Sequence, residues 1–298
     1  MTTRLSNTPL ARGSGARLVR AKAELRAALG EARRGGASVG LVPTMGFLHD
    51  GHLSLLRAAR EECDVVVISL FVNPTQFGPG EDLDRYPRDE ERDLGFAAEA
   101  GVDLVYAPPV AEVYPDGFAT SVEVGGDLTR VLDGDPARRG PEHFRGVTTV
   151  VAKLFNSVEP DVAYFGQKDA QQAAVIRQMA RDLDFAVRIE VLPTVREPDG
   201  LAMSSRNAYL DPEDRLRAAA LSRALRLAEQ RARAESLAAG HDAARRELVR
   251  AGIEPEYLEA RDADELTPVA ELNGRPVLVA VAAQVGRARL IDNVLIRP

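Results

Sequence analysis

Residues 43–52 read Pro-Thr-Met-Gly-Phe-Leu-His-Asp-Gly-His. Directly before them stands Val39-Gly40-Leu41-Val42, a short apolar run that predicts a buried parallel strand. Directly after them, Leu53 to Arg60 has the spacing of a helix. His49 and His52 therefore sit where a strand turns into a helix. At that point, unpaired backbone N–H groups and the positive end of the helix dipole favour a phosphate. Gly46 and Gly51 let the backbone approach a ligand closely. The imidazoles add neutral donors, or cations once a phosphate raises their pKa. Read singly, each histidine is an ordinary turn or cap residue; the complete strand–glycine–HxGH–helix package is what points to a phosphate-bearing ligand.

A second polar stretch, Asp199-Gly-Leu-Ala-Met-Ser-Ser-Arg-Asn207, precedes a helix start marked by Asp211 and Pro212. Ser204, Ser205 and Arg206 offer hydroxyl and guanidinium donors suited to a triphosphate. Alone, this is a surface loop with an arginine. Beside HxGH it resembles the KMSKS loop of the HxGH nucleotidyltransferase superfamily.

Further blocks narrow the resemblance. They are Phe71-Val-Asn-Pro-Thr-Gln-Phe77, Glu81-Asp-Leu-Asp-Arg-Tyr-Pro-Arg88, His143-Phe-Arg-Gly-Val147 and Phe165-Gly-Gln-Lys-Asp-Ala-Gln-Gln172. From about Leu41 to Asp211 the chain resembles the pantoate–β-alanine ligase family. The resemblance implies ATP as a substrate and a pantoyl adenylate intermediate. It makes His52, His49, Lys168 and Arg206 the catalytic set. Pro43, Met45, Gly46, Gly166, Asp169, Val195, Met203, Ser204 and Ser205 join them around the nucleotide. Asn73, Gln76 and Gln172 would form the pantoate wall. A substrate-binding arginine is expected at Arg139 or Arg138, with Arg139 preferred, because the spacing to His143 is one residue longer than in the family pattern. Gln167 replaces a glutamate common among relatives, and Ala170 replaces a common aromatic. Mg²⁺ is expected with ATP, since a triphosphate is normally bound as its metal complex. Within the acidic stretch Glu81–Asp93, Asp93 is the candidate ligand, with a solvated helix start as the alternative. The resemblance also implies a homodimer; the apolar Asp64–Val72 run is a candidate for a place near its interface.

Composition sets the outer limits. The 298 residues leave room for two domains, and the apolar content of 45% is that of a globular protein. Net charge is −7, with acidic and basic residues interspersed. The Arg-rich Arg231–Arg246 region reads as a solvated face, so no nucleic-acid partner is expected. One cysteine, Cys63, rules out an internal disulfide and fits a reducing cytoplasm. No apolar run reaches the roughly 18 residues of a membrane span. Met1–Gly15 has no apolar core and reads as a frayed tail, not a secretory signal.

Alternating strands and helices through Leu192 predict a Rossmann-like α/β domain with a mostly parallel sheet. Helices are expected at Arg17–Arg34, Arg88–Ala100, Phe144–Val158 and Asp169–Leu183. Strands are expected at Asp64–Val72, Val102–Ala107, Asp161–Phe165 and Ala186–Leu192. After Pro193 the texture shifts to helices over Pro212–Ala239 and Asp242–Ala251. A hairpin of Val277–Ala283 and Leu290–Ile296 follows. This predicts a Rossmann-like domain over 1–194 and a small α+β domain over 195–298, with the site between them. The alternatives are another HxGH-type nucleotidyltransferase, or a binding module that has lost catalysis.

Overall fold

The computed structural model describes residues 15–298; the first fourteen positions, and with them nearly all of the expected N-terminal tail, lie outside the described residues. Six strands form a parallel sheet: β1 (Arg17–Val19), β2 (Val39–Thr44), β3 (Val65–Leu70), β4 (Leu104–Tyr106), β5 (Val162–Gly166) and β6 (Arg188–Leu192). Their order is β1-β4-β3-β2-β5-β6. β2 and β3 lack polar–apolar alternation because helices cover both faces of the sheet, and Val39, Leu41, Val66, Val67 and Ile68 are fully buried. Helices α1 (Lys22–Arg34), α2 (Asp50–Glu62), α3 (Glu90–Glu99), α4 (Val110–Val113), α5 (Pro141–Val158) and α6 (Ala170–Asp182) connect or flank these strands.

The strand order places the site. From β2 the chain proceeds to β3 and β4 on one side, whereas β5 and β6 lie on the other. The reversal falls between β2 and β5. In open α/β sheets, the crevice beyond the strand ends at such a point receives the ligand. β2 ends at Thr44 and leads into HxGH; β5 ends at Gly166 and leads into Gln167–Lys168.

The remaining chain contains α7 (Pro212–Ala218), α8 (Ala220–Ala234) and α9 (Leu237–Arg250). It ends in an antiparallel sheet of β7 (Pro255–Asp262), β8 (Val277–Val285) and β9 (Ala288–Ile296). Two apolar clusters flank the parallel sheet and draw on residues up to Leu192; a third, from Leu201 onward, lies under α8, α9 and the small sheet.

Three expectations change. Arg17–Val19 is an edge strand paired with β4, not the first turn of a helix; Val19 is buried and Arg17 exposed. The expected Pro212–Ala239 helix is interrupted twice, and Ser236 caps the start of α9 by accepting from Ala239 N–H. β7 has no counterpart among the expected strands. The Asp64–Val72 run does supply the expected strand: β3 is paired on both edges inside the sheet.

Candidate active site

The turn between β2 and α2 is held from a distance. Gly46 and Phe47 both have positive φ, +83° and +53°. That conformation is strained for phenylalanine. The Asp93 carboxylate stabilises it, accepting from Phe47 N–H and Leu48 N–H at 2.7 Å each. A Cβ on Gly46 would lie 3.0 Å from the same carboxylate. Arg92 stacks on the Phe47 and Phe96 rings and donates to the Leu48 carbonyl. Asp93 is therefore not the expected metal ligand. Its oxygens are occupied by backbone donors, and burial raises its pKa.

His49 and His52 stack with ring centroids 4.0 Å apart. A Cβ at Gly51 would approach the His49 ring to 2.9 Å, so the glycine of HxGH makes room for the first histidine. His52 Nδ1 accepts from His49 N–H at 3.3 Å, which leaves the ring proton of a neutral imidazole on Nε2. Both rings are held neutral. Burial, followed by the Lys168 charge, lowers His49 to about 4. Burial, His49 and Lys168 lower His52 well below the ordinary value. His49 Nδ1 is buried without a partner. Such an atom at a helix start is a donor or acceptor held ready for a ligand.

Lys168 lies in a 3-10 turn, Gln167–Asp169, between β5 and α6, and Nζ is 3.2 Å from the Asp169 carboxylate. Opposite it, Pro74–Gln76 forms another 3-10 turn whose cap is Asn73. Asn73 is fully engaged. Its amide donates to Gln76 Oε1 and the Gly146 carbonyl, and its oxygen accepts from Thr75 and Tyr114. It therefore orients Gln76 within the wall of the cavity that both residues line, its two amide N–H groups already used. Gln76 Nε2 points to Met45 Sδ at 3.3 Å.

The two arginine candidates separate clearly. Arg138 stacks on Tyr257 and reaches the Leu132 carbonyl. Arg139 faces the cleft, pairs with Glu81 and touches His143 Nε2 at 3.1 Å. A guanidinium only donates, so Nε2 accepts and Nδ1–H donates to the Gln76 carbonyl at 2.7 Å. His143 is neutral too, lowered to about 4 by burial and then by Arg139. Arg206 makes two 2.9 Å bonds to Asp82. Ser204 caps its own turn, accepting from Arg206 N–H, and Ser205 Oγ donates to the Phe47 carbonyl. The Val195 carbonyl accepts from Met203 N–H.

Two cavities of about 360 and 210 Å³ meet here. Both are lined by Met45, Gln76, Lys168, Asp169, Gln172, Ser204 and Arg206. The smaller also takes in Pro43, His49, His52, Gly166, Val195, Met203 and Ser205. The larger takes in Arg139, His143, Asp82 and the β9 residues Asp292 and Asn293. The structure thus gathers the expected residues around one cleft, with Gly46 in the supporting turn. Sequence reading missed Glu81 and Asp82 as arginine partners, although both stood in a quoted block. It also missed Asp292 and Asn293, whose strand carries no motif.

A family model described as pantoate-beta-alanine ligase matches residues 17–295. The chain belongs to that family. Over 289 residues it is 57% identical to the pantothenate synthetase of Moorella thermoacetica, covering 94% of this chain and 98% of the relative. A crystal structure of pantothenate synthetase from Thermus thermophilus superposes with TM-score 0.88 at 49% identity, covering 95% of this chain and all of that one. A pantoate-beta-alanine ligase from Francisella tularensis, solved in complex with beta-gamma ATP and beta-alanine, gives 0.79 at 32% identity, covering 94% and 97%. The chain is a ligase.

Proposed function

We propose that the cleft condenses pantoate with β-alanine at the expense of ATP, in two steps. The pantoate carboxylate attacks the α-phosphorus of ATP, forming the acyl–phosphate bond of pantoyl adenylate and releasing pyrophosphate. The β-alanine amine then attacks the acyl carbon, and AMP leaves as pantothenate forms. One observation carries this reading: the HxGH helix start, the Lys168 turn and the Ser204–Arg206 loop border the same cavity as Gln76 and Gln172. Neutral donors and a point cation suit the phosphates, and two carboxamides suit hydroxyls and a carboxylate. The relative crystallised with beta-gamma ATP and beta-alanine supports the same substrates. Another HxGH nucleotidyltransferase is not favoured, because the family model extends over 17–295.

Within this proposal, the Lys168 ammonium and the His52 Nε2–H meet the phosphates, His49 stands beside them, and Gln76 and Gln172 orient pantoate. Arg206 reaches the triphosphate by exchanging Asp82 for it, and Arg139 is the substrate arginine. Mg²⁺ accompanies the ATP phosphates. Among the described residues no group of three or more His, Cys, Asp or Glu side chains is arranged to hold a metal; a triphosphate that brings its own Mg²⁺ would carry the ion on its phosphates. A division near Thr194, a homodimer and a cytoplasmic location belong to the same reading. The buried thiol of Cys63 agrees with a reducing compartment, and no described helix is long and apolar enough to cross a membrane.

The test is isotope exchange. Labelled pyrophosphate should enter ATP when pantoate is present and β-alanine absent, and Arg206→Ala should suppress that exchange while nucleotide binding persists. Exchange that needs β-alanine, or proceeds equally without pantoate, would overturn the two-step order.

A further inference from the structure

The Lys168 turn is fastened by a residue from the far end of the chain. Asn293, on edge strand β9, is 5% exposed. Its Nδ2 donates to the carbonyls of Gln167 and Lys168, both at 2.9 Å. Its Oδ1 accepts from Gln167 Nε2 at 3.0 Å. All three bonds close on one dipeptide. A glutamate at 167 would have no N–H to give, so the amide found here completes the clasp. The neighbouring Asp292, also buried, makes two bonds to Arg196 at 2.6 and 3.0 Å and accepts from Asn293 N–H. Arg196 lies at the base of the loop that carries Ser204–Arg206, bridged to Ala202 and bonded to the Gly200 carbonyl.

We infer that Asn293 is a positioning residue for Lys168, fixing the ammonium against the phosphates from the small C-terminal sheet, with Asp292 tying the Ser204–Arg206 loop to the same strand. The physical need is plain. A 3-10 turn of three residues has little stability of its own, and nothing in its own sequence caps it. A lysine on a flexible stem must be held to within a fraction of an ångström for its charge to act on a transition state. The inference rests on the assignment of Lys168 to the phosphates.

Pyrophosphate–ATP exchange with pantoate tests it in Asn293→Ala, Lys168→Ala and the double variant. Asn293→Ala should lower the exchange kcat by roughly 10–100-fold and leave the KM for pantoate within about twofold. In the Lys168→Ala background the same change should cost less than about twofold, since its effect passes through the lysine. Gln167→Ala, which removes one bond of the three, should show a smaller loss that likewise vanishes without Lys168. It serves in place of Asn293→Ala should that variant not fold. Equal losses in both backgrounds would overturn the inference while leaving Lys168 in place, and so would full activity in Asn293→Ala. Full exchange by Lys168→Ala alone would overturn the assignment of Lys168 and this inference with it.

Discussion

At His52 one ring nitrogen is already committed to the backbone, so Nε2–H is what the ring offers to a phosphate. Such a neutral donor, fixed before the reaction, acts on charge that grows in the transition state. His52→Ala should fold normally by circular dichroism and lose about two or more orders of magnitude in pyrophosphate exchange; His49→Ala should behave similarly. Near-normal turnover in either would remove that histidine from the chemistry. Asp93 makes the contrasting case. Asp93→Asn places an amide donor against a backbone N–H, which should cost about 1–3 kcal/mol of stability in thermal or urea unfolding. The Mg²⁺ concentration for half-maximal activity should stay unchanged; a shift there would restore the metal role. The histidines were legible because their side chains carry the motif. Asp93 was not, because its partners are backbone N–H groups 45 and 46 residues away, which leave no mark in the sequence.

Between α5 and the Pro74–Gln76 turn there is no room for a methyl group. A Cβ on Gly146 would sit 2.3 Å from the Thr75 carbonyl oxygen and 2.7 Å from Gln76 Cα. Gly146→Ala must push the turn away and displace Gln76, destabilising the protein by about 1–3 kcal/mol. It should raise the KM for pantoate more than the KM for ATP, and steady-state kinetics with each substrate varied would show it. Equal shifts would place the turn outside the pantoate wall. Helix α5 itself was readable, since the apolar spacing of Val147, Val150, Val151, Leu154 and Phe155 outweighs its β-branched content. Its glycine was not, because close backbone approach involves residues distant in sequence. The same reason explains the elements that were misread. β1 and β7 are strands because of the backbones they pair with, and neither shows a buried run of its own.

For the whole molecule, pH is the informative variable. His49 and His143 are both held at about 4 in the folded chain, against an ordinary 6.5, and His52 shifts in the same direction. Between these values the unfolded chain binds protons that the folded chain refuses. The stability these neutral rings contribute is complete above pH 6.5 and is lost as pH falls toward 4. Thermal unfolding across that window should show Tm dropping with pH, and His143→Gln should flatten the slope; an unchanged slope would contradict the neutral assignment of His143. Glu81, Asp82 and Asp133 have lowered pKa values, so their contribution is lost at still lower pH, in the same direction. The Rossmann-like class and the cleft between two sheets were legible because alternation and texture extend over long stretches. What the fold adds is the shape of that cleft. Its two chambers are neighbours that share seven lining residues, and that has a pharmacological corollary. A compound built by linking two weak fragments, one for each chamber, gives up its freedom of tumbling once, not twice, and should inhibit far better than either fragment alone.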